Sequence, residues 1–260
     1  MGTYYEKKYG DSDPFPEREN LAHPERIREI HIEYLRAGAR LLRTNTFALS
    51  PVFFPDEKER LDGLRAGYAV AESAIQDFRA ESGCEEEIFI AADFGPVGEN
   101  DEQSAAEVLD DYRRMCDVFL ECGAQVFVFE SQRDDKYLGA LAEYIKSKCP
   151  QAFVLVQFTF DRSGYTRAGL SVRRINERMA QPAMAAVDAY GYNCGVEAGH
   201  LLQLLEAQQP YCDKFLSALP NAGYPLSLRG KTIYTENERY FVEKSVEIAA
   251  MGVDIIGGCC

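Results

Sequence analysis

The sequence has no tryptophan, only three histidines and no long apolar stretch. No segment approaches the ~20 consecutive apolar residues that a membrane-spanning helix needs, and residues 1–10 are too polar for a secretion signal. We therefore expect a cytoplasmic protein with no membrane partner. The lack of tryptophan excludes only ligand pockets built on that side chain, because fifteen tyrosines and fifteen phenylalanines remain available to bind cations.

Positive charge is also scarce. Twenty-eight lysines and arginines stand against 42 acidic residues, which gives a formal net charge of −14. A protein with this negative charge repels polyphosphates, so we expect no nucleic-acid partner.

A chain of 260 residues with 46% hydrophobic content can bury roughly three quarters of its unfolded surface. This size predicts one domain over residues 1–260.

Amphipathic helices alternate with short, nearly uncharged runs along the chain. Apolar residues at helical spacing predict seven helices, while the apolar runs predict strands that are buried on both faces. The predicted helices lie at about 27–35, 58–80, 105–119, 136–148, 173–187, 197–208 and 236–251. The predicted strands lie at 39–44, 88–93, 125–130, 153–160, 189–194, 215–219 and 253–256.

This alternation is typical of parallel βα units, and a strand count close to eight favours a closed barrel over an open sheet. We therefore predict an α/β fold, specifically a (β/α)8 TIM barrel. The predicted order opens on a helix and closes on a strand, whereas a complete barrel opens on a strand and closes on a helix. We expect the first strand and the last helix to be missing, and the chain to be a fragment of a longer protein.

Three cysteines follow predicted strands, where the reactive groups of such barrels lie. Cys194 ends one strand, and Cys259 and Cys260 come just after the last one. Cys194 alone could be a small buried apolar residue. Neighbouring residues on a regular strand point to opposite faces, so Cys259 and Cys260 share one ion only if the backbone leaves strand geometry. Gly257 and Gly258 permit that departure.

Three thiolates indicate a zinc site rather than a magnesium or calcium site. Three protein ligands leave a fourth position open for catalysis, whereas a closed structural site would need a fourth cysteine or histidine. All three histidines lie in or beside predicted helices. A disulfide between Cys259 and Cys260 is a rival interpretation, disfavoured by its strain and by the reducing cytoplasm.

Further motifs stand at the start of the chain and after the predicted strands, in a fixed order. They are Met1-Gly2-Thr3, Thr44-Asn45-Thr46-Phe47, Gly95-Pro96-Val97-Gly98, Glu130-Ser131, Tyr192-Asn193-Cys194-Gly195, Pro220-Asn221-Ala222-Gly223 and Gly257-Gly258-Cys259-Cys260. With these motifs the sequence resembles the homocysteine S-methyltransferase family over essentially its whole length. The family's opening Asp and Gly would precede Met1 and are absent, and Ser131 stands where threonine is more usual.

The resemblance implies a zinc-dependent enzyme that transfers a methyl group to the zinc-bound thiolate of homocysteine and yields methionine. Cys194, Cys259 and Cys260 are the implied zinc ligands, with no catalytic residue beyond the metal site. Glu130 is the candidate for binding the ammonium group of homocysteine, because a carboxylate at the barrel mouth can pair with it and orient the sulfur. The other implied substrate-binding residues are Gly2, Thr3, Asn45, Thr46 and Asn221.

Two other functions stay open. An enzyme of the same fold could use three thiolates to methylate a different thiol, or the chain could be a catalytically silent zinc-binding domain. The methyl donor is also open, since S-methylmethionine, S-adenosylmethionine, betaine and methylcobalamin charged from methyltetrahydrofolate all serve relatives. The implied partners are homocysteine and such a donor, either a small molecule or one carried by folate or cobalamin modules in the same or another chain.

Overall fold

A computed structural model of the chain describes residues 1–10, 14–98, 103–207, 212–228, 231–234 and 237–260, with the side chains of 225–228 and 231–233 left undescribed. The chain divides into two compact units. The first comprises residues 1–129 and 143–153, and the second comprises residues 130–142 and 154–260. Among the described residues, no helix combines the length and apolar character needed to cross a bilayer.

The described helices are α1 (Gly2–Tyr9), α2 (Glu19–Ala22), α3 (Pro24–Arg36), α4 (Glu57–Ser82), α5 (Ala105–Glu121), α6 (Leu138–Lys148), α7 (Val172–Met179), α8 (Ala198–Glu206) and α9 (Glu238–Ala250). The described strands are β1 (Leu41–Arg43), β2 (Phe89–Phe94), β3 (Val126–Gln132), β4 (Phe153–Phe158), β5 (Ala189–Glu197), β6 (Phe215–Asn221), β7 (Pro225–Leu228), β8 (Lys231–Tyr234) and β9 (Ile255–Ile256).

The first unit is built on parallel strands. Strand β2 pairs with β1 on one side and with β3 on the other, both in parallel. Aromatic side chains fill the space beside these strands, where Phe94 stacks on Phe129 with ring centroids 4.7 Å apart. Ile27 and Ile30 of α3 are fully buried, as expected for the apolar stripe of an amphipathic helix.

The second unit contains four parallel strands in the order β4, β5, β6 and β9. Strand β7 pairs with β8 in an antiparallel hairpin that follows β6. Because neighbouring parallel strands point the same way, their carboxyl ends meet at one edge. Residues that end β5, β6 and β9 are therefore brought close together.

The α/β class predicted from the sequence is confirmed, with seven parallel strands among the described residues. Every predicted helix and strand has a counterpart, although the helix predicted over 173–187 ends at Met179. Pro182, which begins a separate 3-10 turn, cannot donate a backbone hydrogen bond to a continuing helix. The closed eight-stranded barrel and the absence of its first strand and last helix stay predictions.

Helices α1 and α2 and the β7–β8 hairpin were not predicted from the sequence. Helix α1 has the sequence GTYYEKKY and buries only Tyr5, so it lacks the apolar stripe on which a helix prediction depends. The hairpin had a weak signal in the alternating leucines of PLSL, and Pro225 opens its first strand, a position that proline tolerates.

Candidate metal and substrate site

Thiols and polar side chains meet at the strand ends of the second unit. Glu130 lies near the end of β3, Asn193 and Cys194 lie within β5, and Asn221 ends β6. Cys259 and Cys260 follow β9 after two glycines. The structure thus brings together five of the residues predicted from the sequence, namely Glu130, Cys194, Asn221, Cys259 and Cys260.

The three sulfur atoms form a compact triangle. The Sγ atoms of Cys194, Cys259 and Cys260 all lie within 4.8 Å of one another, and those of Cys194 and Cys260 are 4.0 Å apart. A tetrahedral ion with Zn–S bonds of about 2.3 Å requires sulfur atoms about 3.8 Å apart. All three cysteines are free thiols and partly buried. The triangle therefore fits a zinc ion after only small side-chain movements.

The backbone after β9 wraps around the end of β6. The Cys259 amide donates a hydrogen bond to the Pro220 carbonyl at 2.9 Å, and the Ala222 amide donates to the Cys260 carbonyl at 2.7 Å. The Cys260 amide donates to Oδ1 of Asn221 at 3.2 Å. The Cys259 bond continues the parallel register of β9 on β6, whereas the bond to the Cys260 carbonyl is shifted from it by one residue. The backbone therefore leaves strand geometry at the two adjacent thiols, which allows both to face one site. Asn221 thus supports the backbone of Cys260, which is a predicted metal ligand.

Strand β5 carries a bulge that aims Cys194 into the site. Its pairing with β6 shifts register between Asn193 and Glu197, and Cys194 has a left-handed φ of 58°. Such a conformation costs a non-glycine residue on the order of 1 to 2 kcal/mol. The next residue must be glycine, because a Cβ on Gly195 would lie 1.9 Å from the Phe160 carbonyl oxygen. Strain of this kind is typical of functional sites.

Asn193 connects the carboxylate to the thiols. It is 1% exposed, and its Nδ2 donates to Oε2 of Glu130 at 2.7 Å and to Oγ of Ser131 at 3.0 Å. Its Oδ1 accepts a bond of 2.8 Å from the Ser131 amide, and Nδ2 lies 3.8 Å from Sγ of Cys259. Ser131 also has a left-handed φ of 58°. Asn193 therefore holds the strained end of β3 and fixes the Glu130 carboxylate beside the sulfur atoms.

No role of its own was predicted for Asn193 from the sequence. It appeared only as part of the motif around Cys194, and asparagine is common in turns. The available signal was its position at the end of a buried strand, immediately before a predicted metal ligand.

The electrostatics of the triangle favour a bound cation. Hydrogen bonds from the thiols of Cys194 and Cys259, and one from Tyr234, hold the pKa of Cys260 below that of an ordinary thiol. The hydrogen bonds that Cys259 makes with Cys194 and Cys260, together with its burial, raise its own pKa. One thiolate is thus stabilised at the expense of a second. A divalent cation would stabilise all three, because coordination removes thiol protons.

The other predicted substrate residues belong to the first unit. Nδ2 of Asn45 donates to Oδ1 of Asn20 at 2.9 Å, and Oγ1 of Thr46 donates to the Asp93 carbonyl at 2.7 Å. Gly2 and Thr3 lie in α1 and are exposed. Asn45 and Thr46 are thus engaged in bonds that fix the loop after β1. A role for these four residues in substrate binding stays a prediction.

An α/β fold with parallel strands and polar groups at the strand ends is typical of the class of α/β enzymes that carry their reactive groups there. The homocysteine S-methyltransferase family profile matches residues 1–260. The chain belongs to the homocysteine S-methyltransferase family, which confirms the resemblance drawn from the strand-end motifs.

Named relatives agree with this assignment. The homocysteine S-methyltransferase of Escherichia coli (strain K12) is 25% identical over 256 residues, which cover 92% of this chain and 81% of the relative. Crystal structures of the homocysteine methyltransferase MmuM from Escherichia coli are similar in fold. Its oxidized and metallated forms both have a TM-score of 0.77, at 23% and 22% identity, and the match covers 100% of this chain and 89% of theirs.

Proposed function

We propose that the protein transfers a methyl group to the sulfur of homocysteine in a zinc-dependent reaction and releases methionine. The observation that carries this proposal is the triangle of three thiols within 4.8 Å of one another. Asn193 joins this triangle to the carboxylate of Glu130, and the chain belongs to the homocysteine S-methyltransferase family. We also propose that residues 1–260 act as a single homocysteine-binding domain.

Cys194, Cys259 and Cys260 would hold the zinc ion. When bound, zinc supplies a Lewis acid that keeps the homocysteine sulfur deprotonated at neutral pH, where a free thiol with a pKa near 8.5 is mostly protonated. A metallated crystal form of MmuM supports a metal in this family. The three thiolates carry enough negative charge to leave an added sulfur nucleophilic.

Glu130 binds and orients homocysteine in this proposal. Its side chain is 7% exposed, and Asn193 fixes Oε2. A carboxylate in such a fixed position can pair with the ammonium group of homocysteine and hold the sulfur in one place. The sulfur then forms a bond to the methyl carbon, while the bond between that carbon and the donor breaks with its electron pair leaving on the donor. The thiol proton passes to solvent.

The direct test is methyl transfer from isotope-labelled donors. Zinc-loaded protein is incubated with a thiol, either homocysteine or 2-mercaptoethanol, and with one methyl-labelled donor at a time. The donors are S-methylmethionine, S-adenosylmethionine, betaine and methylcobalamin, and the thioether product is analysed by mass spectrometry. We expect labelled methionine from at least one donor. Labelling of 2-mercaptoethanol but not of homocysteine would favour an enzyme for another thiol. No labelled product, despite one zinc per chain, would favour a silent zinc-binding domain.

A further inference from the structure

The β7–β8 hairpin brings a tyrosine hydroxyl to the thiol triangle. Tyr234 ends β8 and pairs across the hairpin with Pro225. Pro225 stands four residues after Asn221, whose Oδ1 accepts a hydrogen bond from the Cys260 amide. The side chain of Tyr234 is partly buried, and its hydroxyl forms a hydrogen bond with Sγ of Cys260. A phenol is protonated at neutral pH and has one hydrogen to donate, so Tyr234 is the donor to a Cys260 thiolate.

The other two sulfur atoms also have protein donors. The Gly195 amide forms a hydrogen bond with Sγ of Cys194. Nδ2 of Asn193 lies 3.8 Å from Sγ of Cys259. This nitrogen has two further acceptors at shorter distances, so its contact with the sulfur is a weak one. Each corner of the triangle is thus assigned its own donor.

These protein donors would remain when zinc is bound. Coordination removes thiol protons, so the hydrogen bonds that the thiols donate to one another would be lost on metal binding. The Gly195 amide and the Tyr234 hydroxyl have one hydrogen each, and each gives it to a ligand sulfur. Homocysteine would enter the fourth position of the metal, and neither of these two donors is then free to bind its sulfur.

A hydrogen bond of this kind distinguishes sulfur atoms that are otherwise alike. Zinc-bound homocysteine and the zinc-bound cysteines are all thiolates, and any of them could attack a methyl donor. If Cys260 attacked, its sulfur would form a bond to the methyl carbon, while the bond between that carbon and the donor would break with its electron pair leaving on the donor. The product is a neutral thioether, and the metal would lose a thiolate ligand. A donated hydrogen bond stabilises negative charge on sulfur and lowers its nucleophilicity.

We propose that Tyr234 protects Cys260 from methylation by donating a hydrogen bond that makes the Cys260 sulfur a poorer nucleophile than the sulfur of bound homocysteine. This inference rests on the zinc site of the proposed function, and it adds a residue that directs the methyl group to the substrate rather than to a metal ligand. Tyr234 acts through Cys260 and is therefore a positioning residue.

Iodomethane tests this inference, because it is a small electrophile that needs no donor site. Zinc-loaded wild type and Tyr234→Phe, in excess zinc and without homocysteine, are treated with labelled iodomethane. Peptide mass spectrometry then gives the methylation rate at each cysteine, and fragment ions distinguish Cys259 from Cys260. Phenylalanine keeps the ring and removes only the hydroxyl. We expect the rate at Cys260 to rise about tenfold, as for the loss of one charge-assisted hydrogen bond, with the rates at Cys194 and Cys259 unchanged.

Cobalt substitution gives a spectroscopic measure of the same hydrogen bond. The charge-transfer band from sulfur to cobalt should move to longer wavelength in Tyr234→Phe, because the sulfur electrons are held less tightly without the donor. The matched control is Tyr144→Phe, which removes a hydroxyl that donates to Asp117 in the first unit. It should keep the wild-type band and the wild-type rate at every cysteine.

Several outcomes would overturn the inference. One is a zinc-loaded Tyr234→Phe protein with the wild-type rate at Cys260, and another is an equal rise at all three cysteines, which would indicate loosening of the whole site. Loss of zinc from Tyr234→Phe would also overturn it, because Tyr234 would then be needed for metal binding. A zinc-loaded wild type that makes no methionine from any donor would overturn only the proposed methyl transfer, whereas a wild type that binds no zinc would overturn both.

Discussion

Single replacement of Cys194, Cys259 or Cys260 by serine is expected to remove most of the bound zinc and to abolish methyl transfer. The three sulfur atoms lie within 4.8 Å of one another, so each variant leaves two thiolates and a neutral hydroxyl that is a poor zinc ligand. Loss of residues that only support metal ligands already costs about 10- to 100-fold in metal affinity or activity, and loss of a ligand should cost more. Zinc per chain is measured by atomic emission, and turnover is measured with excess donor.

The matched control is Cys84→Ser, which alters a partly buried cysteine of the first unit. It should keep full zinc content and activity. Circular dichroism should show that all four variants remain folded, because the three site thiols are only partly buried and contribute little to the core. If the three site variants kept both zinc and turnover, the metal assignment would be wrong, and the proposed mechanism would be wrong with it.

Changing Glu130→Gln should weaken homocysteine binding by about ten- to more than a hundredfold, which corresponds to about 1.5 to 3 kcal/mol for a charge-assisted contact. Glutamine keeps the shape of the side chain and an oxygen that can accept the 2.7 Å bond from Asn193, but it lacks the charge that pairs with an ammonium group. Zinc content should stay full, since Glu130 is not one of the three thiol ligands. Isothermal calorimetry with homocysteine measures the change.

A ligand without the ammonium group separates this pairing from a general disturbance of the site. We expect 4-mercaptobutyrate to bind wild type and Glu130→Gln with equal affinity, because it has no cation for Glu130 to contact. The protein control is Glu177→Gln, an exposed carboxylate of α7, which should leave homocysteine binding unchanged. Equal homocysteine affinity in wild type and Glu130→Gln would assign Glu130 a purely structural role.

The positions of the thiols could be predicted because they depend on the order of elements. Buried apolar runs identified β5, β6 and β9, and parallel strands bring their carboxyl ends to one edge. Cys194, Asn221 and Cys260 were therefore expected together, and the bonds around Asn221 and Cys260 bring them together. Gly257 and Gly258 were expected to permit the turn after β9, yet neither adopts the left-handed conformation that only glycine favours.

The geometry that links Glu130 to the thiols could not be predicted. It depends on left-handed backbone at Ser131 and Cys194, and neither residue type favours that conformation. Tertiary bonds hold it in place, above all those between Asn193 and Ser131.

X-ray absorption at the zinc edge tests the central claim most directly, because it counts the sulfur neighbours of the metal. The zinc-loaded protein should show three sulfur atoms at about 2.3 Å from the metal, a distance typical of four-coordinate zinc thiolates, and one lighter atom. Homocysteine should raise the count to four and release close to one proton per site below the pKa of the free thiol. Methionine, a thioether with no thiol proton, should do neither. A count that stays at three sulfur atoms with saturating homocysteine would contradict the account.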